Sequence, residues 1–398
     1  MATIDLGHDA ALAAADRIEP RRALWKGPRF ITEVFDGADD ALAALEAVQG
    51  ALVSTGFQTL DWLTVLYEDL APSRHAMPRV VVVTERNSLE VALILPLIME
   101  KERKLTVARF ADLGVSDYGG PILGPALLKK RRSIRRTWRS VLRAMPDVDL
   151  IRLERMPAKI GRRQNPLLTR LGVTPAPHSG NVLVVPQTVE TFLHARGKKY
   201  RKEVERCYRR WEREGAPRFY RAVTVDEIAR VCSVLEEQQA ARHGGPSSSY
   251  VLDEPGYRAF YERLAIDGSA TGLASLFALE ANGEIIATLF GIVHDGTFTL
   301  LRIATAREAW GHLSPGRLII LEAMKHFVAQ GIRRFDFGPG NYPFKRGFGV
   351  EEVPLHDLIV ARDLAVVPRA VYHWLRGRLR KTVHARSAFE LSKPRFTR

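Results

Sequence analysis

The sequence predicts a mixed α/β protein, α+β in its sheet connections, made of two tandem copies of one unit joined by a basic helical segment. Three observations carry that reading. With roughly 150 residues per domain, a chain of 398 residues has room for two to three domains. The order strand, strand, strand, Gly/Pro loop, helix, strand runs through it twice. Matching positions lie about 197 residues apart at the hairpin turn, about 191 at the loop and about 184 at the last strand. Between the copies lies VETFLHARGKKYRKEVERCYRRWEREG (189–215), dense in Lys and Arg.

In the first copy, RFITEVFD (29–36) is strand-like and is followed by helical segments at 39–49 and 58–70. PRVVVVTERNSLEVALILPLIM (78–99) gives two β-rich runs around an Asn-Ser turn, and KLTVARFADLG (104–114) a third. A Gly/Pro loop, SDYGGPILGP (116–125), leads to a helix over 126–144 and the apolar run DLIRLERMP (149–157). Strands resume at NVLVVP (181–186), closing a first unit over 29–187 after a flexible N-terminal segment, 1–28. The connector, 188–215, reads as a helix broken near Gly197 and a second ending at Gly215. The second unit, 216–365, opens with PRFYRAVT (217–224) and helices at 226–243 and 254–267. A hairpin over 273–296 turns at Asn282-Gly283, the strongest short-range turn signal. Then come TFTLLRIATA (297–306), the loop REAWGHLSPG (307–316), a helix over 317–331, RRFDFG (333–338) and VPLHDLIVARD (353–363). The tail, 366–398, is basic, with Tyr372, Trp374, Leu375 and Leu379 forming a partial apolar stripe.

Composition narrows the classes. A hydrophobic share of 46% and a charged share of 26% exclude a disordered or collagen-like chain. A net charge of +14 makes the surface attract anions: nucleic acid, acidic lipid, a phosphorylated cofactor or an acidic protein. Two cysteines, Cys207 and Cys232, are too few to staple the fold and lack metal-ligand spacing, so a reduced, cytoplasmic compartment is expected. The start of the chain does not read as a signal peptide, and the most apolar run, 91–99, is far short of the roughly 20 residues of a membrane helix. No transmembrane segment and no metal are expected.

There is no GxxxxGK[ST], HExxH, GxSxG or EF-hand loop, which argues against P-loop, zincin, α/β-hydrolase and calcium chemistry. GPGNYP (338–343) supplies two glycines of a dinucleotide fingerprint but has Pro343 where the third belongs. The junction over 307–317 is more informative. Arg307, Gly311, Ser314 and Gly316 precede or open a helix, with Pro315 suited to an early helical position and Ser314 to an N-cap. Free amides at that helix mouth would face a phosphate; an ordinary capped surface turn is the other reading. Lys198–Arg213, with Tyr200, Tyr208 and Trp211 interleaved, either grips RNA or another acidic polymer, or packs its aromatics beneath a solvated cationic face. KKRRSIRRTWR (129–139) forms a second basic face. His243, His294 and His312 lie near loops without a visible partner and rank as structural. The tail either rests on an anionic membrane surface or is a disordered end.

FQTLDWLTVLYEDL (57–70), SDYGGPIL (116–123), GKKYRKEVERCYRRWER (197–213), SPGRLIILEAMKHFVAQG (314–331) and FDFGPGNYPFKRGFG (335–349) together resemble the GNAT superfamily of N-acyltransferases. Duplication of the unit around a basic connector is similar to the FemAB-like tandem-GNAT proteins. Within these, the sequence resembles most the CelD-like branch of cellulose and exopolysaccharide biosynthesis. The similarity runs from about residue 28 to 363. It implies that the strands over 298–306 and 333–338 splay apart around the pantetheine arm of acetyl-CoA or another acyl-CoA. Arg307, Gly311, Ser314 and Gly316 would then hold its phosphates, and an amide at Ile303 or Ala304 would polarise the thioester carbonyl. The phosphate signature of that family is matched only loosely by Arg307 to Gly316, and the first unit's counterpart, Tyr118-Gly119-Gly120, lacks a basic start, which implies a degenerate first unit.

The resemblance also assigns roles. Asp336 is either the proton acceptor or a group orienting the acceptor amine, and an inward, hydrogen-bonded structural Asp is the competing reading. Tyr342 would protonate the leaving thiolate or serve as a packed rim aromatic. Lys345 and Arg346, with Tyr118, would bind an anionic acceptor or a cofactor phosphate, or else remain solvated. The activity implied is acyl transfer from a thioester to an amine on a small molecule or saccharide. A Fem-type aminoacyl transferase fed by aminoacyl-tRNA and a non-catalytic basic scaffold are the alternatives.

Overall fold

The computed structural model describes residues 23–48, 50–126, 128, 130–170, 172–243, 254–340 and 342–362; residues 1–22 of the expected N-terminal segment, 1–28, and the tail over 366–398 lie outside them. The first half contains β1 (Ala23–Lys26), β2 (Phe30–Asp36), α1 (Ala38–Glu46) and a helical run formed by α2 (Leu60–Val65), a π turn (Leu66–Leu70) and α3 (Ala71–Ser73). It continues through β3 (Met77–Glu85), β4 (Val91–Glu102), β5 (Leu105–Phe110), β6 (Ile122–Leu123), α4 (Arg131–Ala144), β7 (Leu150–Pro157), a clip of β8 (Lys159–Ile160) and β9 (Arg163–Gln164), and β10 (Val173–Pro175). β1 falls within the segment expected to be flexible. It pairs with β2 from Ala23/Val34 to Lys26/Ile31, and Trp25 packs on the core, which fixes it.

Then follow β11 (Gly180–Val184), α5 (Val189–Ala195), α6 (Lys198–Arg213), β12 (Arg218–Ala222), α7 (Val225–His243), α8 (Pro255–Thr271), β13 (Ala274–Ala281) and β14 (Glu284–His294). The chain ends in β15 (Thr297–Thr305), α9 (Arg307–Trp310), α10 (Pro315–Ala329), β16 (Arg334–Asp336), α11 (Pro343–Phe348), β17 (Glu351–Val353) and β18 (Leu355–Ala361). Local chemistry explains the breaks. Gly197, at φ 89°, separates α5 from α6. Asn282 and Gly283, at φ 48° and 80°, make the tight β13–β14 turn.

Two mixed sheets result, one ordered β1-β2-β3-β4-β5-β7-β18-β10 with β6 against β4, the other β12-β13-β14-β15-β16-β11-β17. The order corrects two expectations. NVLVVP forms β11, which pairs with β16 and β17 in the second sheet rather than the first. The strand over 353–363 forms β18, which lies between β7 and β10 in the first sheet. The halves therefore exchange their closing strands; apolar periodicity marks a strand but not the sheet that receives it.

One core joins the halves. Edge-to-face aromatic contacts run from Phe57 and Trp62 of the first half to Phe260, Tyr261 and Phe290 of the second, with ring centroids 5.0–5.8 Å apart. Such pairs each contribute about 0.5–1.5 kcal/mol beyond burial. The β3 and β4 runs are continuously apolar because the first sheet is covered on both faces, by this shared core and by α4. The outer face of the second sheet is covered by α10, itself roofed by α5 and α6.

Candidate active site

β15 and β16 pair in parallel only at Thr297/Arg334, Phe298/Phe335 and Thr299/Asp336. β15 continues to Thr305 through a bulge at Leu301, where the pairing with β14 steps from Gly291/Leu300 to Phe290/Arg302. The other strand turns away, with Gly338 at φ 71° and Gly340 at φ 97°, and stays beside β11 through Phe337 N to Asn181 O (2.8 Å) and Gly340 N to Ser179 O (3.2 Å). A wedge therefore opens beyond Leu300. Its floor is apolar, formed by Leu289, Phe298, Leu300, Ile320 and Phe337 around a cavity of about 10 Å³, with Asp336 at the edge.

Along the open side of β15 the amides alternate. The Ala306 amide donates to Ile286 O, so the Ala304 amide, two residues back, is turned to β14 as well, and the Ile303 amide faces the wedge. Of these two amides, only that of Ile303 faces the wedge. The helix mouth is sparser than expected. Ser314 occupies the N-cap position at φ 54° without a capping side-chain bond, Pro315 has no amide, and the Arg317 and Leu318 amides both donate to Ser314 O. That leaves the Gly316 amide for a ligand. A methyl at Gly316 would lie 3.3 Å from Thr305, so this glycine also lets α10 approach β15; Gly311 has open space around it. Arg307 begins α9, and its side chain lies outside the described residues. Nearby side chains are engaged, Arg317 with Glu203 at 2.9 Å and His312 with Glu214 at 2.8 Å.

At the root of the wedge the two halves build a polar cluster. Asp336 is buried, accepting from the Tyr118 hydroxyl at 2.7 Å and the Gly338 amide at 2.8 Å, and burial raises the pKa of its carboxyl. Tyr118 arrives from the first half, with its hydroxyl where a side chain on Gly180 would lie, so the glycine is what admits it. Asp117, half-buried against Gly338, is pushed up to about 7, chiefly by desolvation, with Arg155 pulling it down and Asp336 pushing it up. Lys345 is buried. Its ammonium donates to Gly338 O at 3.0 Å and Pro339 O at 2.9 Å, and desolvation lowers its pKa to about 8 against the pull of Asp117 and Asp336. Asn181 ties the same turn through Gly338 O and Gly340 O.

The structure thus unites Asp336, Tyr118 and Lys345, and places Ile303 on the adjoining edge. Tyr342 stands at the rim, 52% exposed, with the Lys345 ammonium 5.1 Å from its ring centre. Arg346 is exposed on α11, and Ala304 points its methyl into the shared core. His294 bonds Ser54 O at the junction of the halves, while the side chain of His243 lies outside the described residues. Sequence reasoning missed Asp117 and Asn181. Asp117 adjoins Tyr118 within the Gly-rich segment, but nothing local shows that 218 residues later a partner, Asp336, awaits its neighbour. Among the described residues no group of three or more His, Cys, Asp or Glu is placed to hold a metal ion, and no helix is long and apolar enough to cross a membrane.

The first half has the corresponding divergence, β5 pairing with β7 only at Val107/Leu150, Ala108/Ile151 and Arg109/Arg152. There the gap is filled by the chain itself. The Gly119 amide donates to Arg155 O, and a methyl at Gly119 would strike the Phe110 ring and lie 2.6 Å from Glu154 O.

Residues 198–346 match the acetyltransferase (GNAT) domain family. The structure of FemX superposes with a TM-score of 0.54 at 12% identity, covering 81% of this chain and 96% of that one, a likeness of fold. A tandem GNAT protein from the clavulanic acid biosynthesis pathway superposes with a TM-score of 0.43 at 13% identity, covering 83% and 98%. No curated protein sequence matches the chain.

Proposed function

We propose that this chain, whose residues 198–346 match the acetyltransferase (GNAT) domain, is an N-acyltransferase. It moves a short acyl group, acetyl foremost, from a CoA-type thioester to an amine on a small-molecule or saccharide acceptor, in polysaccharide or cell-envelope biosynthesis of the CelD-like kind. The observation that carries this is the wedge between β15 and β16 with carboxylates from both halves at its root. The thioester arm fits along the open edge of β15, where the Ile303 amide reaches its carbonyl oxygen, with its phosphates toward Arg307, Gly311, Ser314 and Gly316. The narrow apolar floor favours short acyl groups.

The acceptor nitrogen attacks the carbonyl carbon only as a free amine. Asp117, titrating near 7, takes the proton, and Asp336 orients the amine through Tyr118. As the carbon–sulfur bond breaks, Tyr342 at the rim protonates the thiolate. Lys345 holds the 338–340 turn and balances the two carboxylates, and Arg346 meets an anionic group on the acceptor. A cytoplasmic location belongs to the same reading, supported by the unpaired Cys207 and Cys232.

One observation favours a second reading. With a single amide free at the helix mouth, a diphosphate finds few donors, which suits an acyl group carried on aminoacyl-tRNA in the Fem manner. Thermal melts separate the two. Acetyl-CoA should raise the melting temperature in a concentration-dependent way while tRNA leaves it unchanged, and Asp336→Asn should lower kcat far more than binding. A shift with tRNA alone transfers the assignment to the second reading, and no shift with either defeats both.

A further inference from the structure

We infer that the outward face of α4 is a docking surface for an anionic lipid bilayer. α4 occupies in the first half the place of α10 in the second, the helix following the third strand of each hairpin sheet. The outer side of α10 is roofed by Phe192, Val204, Cys207 and Trp211 of α5 and α6. α4 presents Arg131, Arg132, Arg135, Arg136, Arg139 and Arg143, all exposed, while Ile134, Thr137, Trp138 and Val141 point to the core. At ~100° and ~1.5 Å per residue these six fall within an arc of about 140° along a stripe about 20 Å long. Among the described residues none of the six forms a salt bridge, and Arg143 instead lies over the Trp25 ring at 5.4 Å. Arg170 stands beside them, its proton affinity lowered by burial and then by Arg135 and Arg139.

Arginines four apart on one helix face repel one another, so the stripe weakens the isolated fold and acquires a favourable energy only against an external anion. Guanidinium groups suit phosphate oxygens, which both nucleic acids and phospholipids offer. The end of the described chain decides between them. Arg362 donates from its amide to Asp149 O (3.0 Å) and from its guanidinium to Met145 O (2.6 Å), at the C-terminal end of α4. Beyond Arg362 the sequence continues with residues 363–398. Their sequence mixes Arg369, Arg376, Arg378, Arg380 and Lys381 with Tyr372, Trp374, Leu375 and Leu379. Apolar anchors beside cations are what a bilayer surface accepts, and two weak signals together are what stable attachment needs. A phosphodiester backbone gives leucine and tryptophan spaced in this way no comparable gain.

The test is flotation of the full-length protein with vesicles of phosphatidylcholine alone and of phosphatidylcholine mixed with phosphatidylglycerol. Wild type should partition only to the mixed vesicles and detach as salt is raised. At roughly fivefold per arginine, the triple variant Arg132→Gln/Arg135→Gln/Arg139→Gln should bind mixed vesicles about a hundredfold more weakly, with a melting temperature no lower than that of wild type. The matching triple replacement by Lys should retain binding and guards against misfolding as the cause. Undiminished binding by the Gln variant, failure of wild type to bind mixed vesicles, or loss of tRNA binding with vesicle partition intact would each overturn the inference.

Discussion

Replacing Asp117 by Asn removes a carboxyl that folding forces into a poor environment, so the variant should be more stable than wild type, but only where wild type must ionise. The carboxyl rises from 3.8 to about 7. Between these values the folded protein holds a proton that the unfolded chain has released, so wild-type stability falls as pH rises through this window and stays low above it. About three pH units at ~1.4 kcal/mol each give an upper bound near 4 kcal/mol; Asp117 is only half-buried, and solvent screening brings the expectation to ~2 kcal/mol. With ~1.2 °C per kcal/mol for a chain of 398 residues, Asp117→Asn should melt about 2–3 °C above wild type at about pH 8.5 and level with it at about pH 4. Differential scanning calorimetry across that range reads the difference directly. In the same variant acyl transfer should fall at least a hundredfold, the usual cost of losing a proton acceptor. A variant that melts no higher relative to wild type at pH 8.5 than at pH 4 refutes the claim that burial holds this carboxyl near neutrality.

Three further perturbations probe neighbouring features. Gly119→Ala should destabilise by ~1–3 kcal/mol, because its methyl meets Phe110 and Glu154 O, while leaving any acetyl-CoA-induced rise in melting temperature intact; a lost ligand response would mean that the first half contributes a thioester site. Tyr118→Phe leaves Asp336 with only the Gly338 amide and should cost ~1–3 kcal/mol, and urea unfolding showing no loss would exclude a tie between the halves. Arg79 bonds both Asp36 and Asp147 and is 5% exposed. Arg79→Met should therefore cost ~3–5 kcal/mol by stranding the Asp36 carboxylate; urea unfolding showing a loss under ~1 kcal/mol would refute a stabilising role for this buried pair.

Local elements and the duplication were legible because they rest on short-range chemistry: Asn282-Gly283 needs positive φ, Gly197 breaks a helix, and doubly covered strands such as Val80–Val83 are apolar throughout. The divergence of the third and fourth strands was legible only through resemblance, and the register of β15 and β16 agrees with it. Destinations set by long-range contacts were not legible. Nothing in NVLVVP distinguishes pairing with β7 from pairing with β16, and Leu355 and Leu358 would be buried in either sheet. The same limit hid half of the polar cluster, since Asp117 and Asp336 become neighbours only when the two halves close. For Lys345 the sequence leaves anion binding and solvation open; its ammonium is instead held inward by the carbonyls of Gly338 and Pro339.

The exchange of β11 and β18 has a consequence for biosynthesis. The slot between β7 and β10 can be filled only by residues translated some 200 positions after β7, a delay of roughly 10–40 s on the ribosome at 5–20 residues per second. Throughout that interval the nascent amino-terminal half carries a bare strand edge, open to pairing with other chains. Cutting the gene between its halves would prolong that vulnerability indefinitely, so each half depends on being expressed with the other.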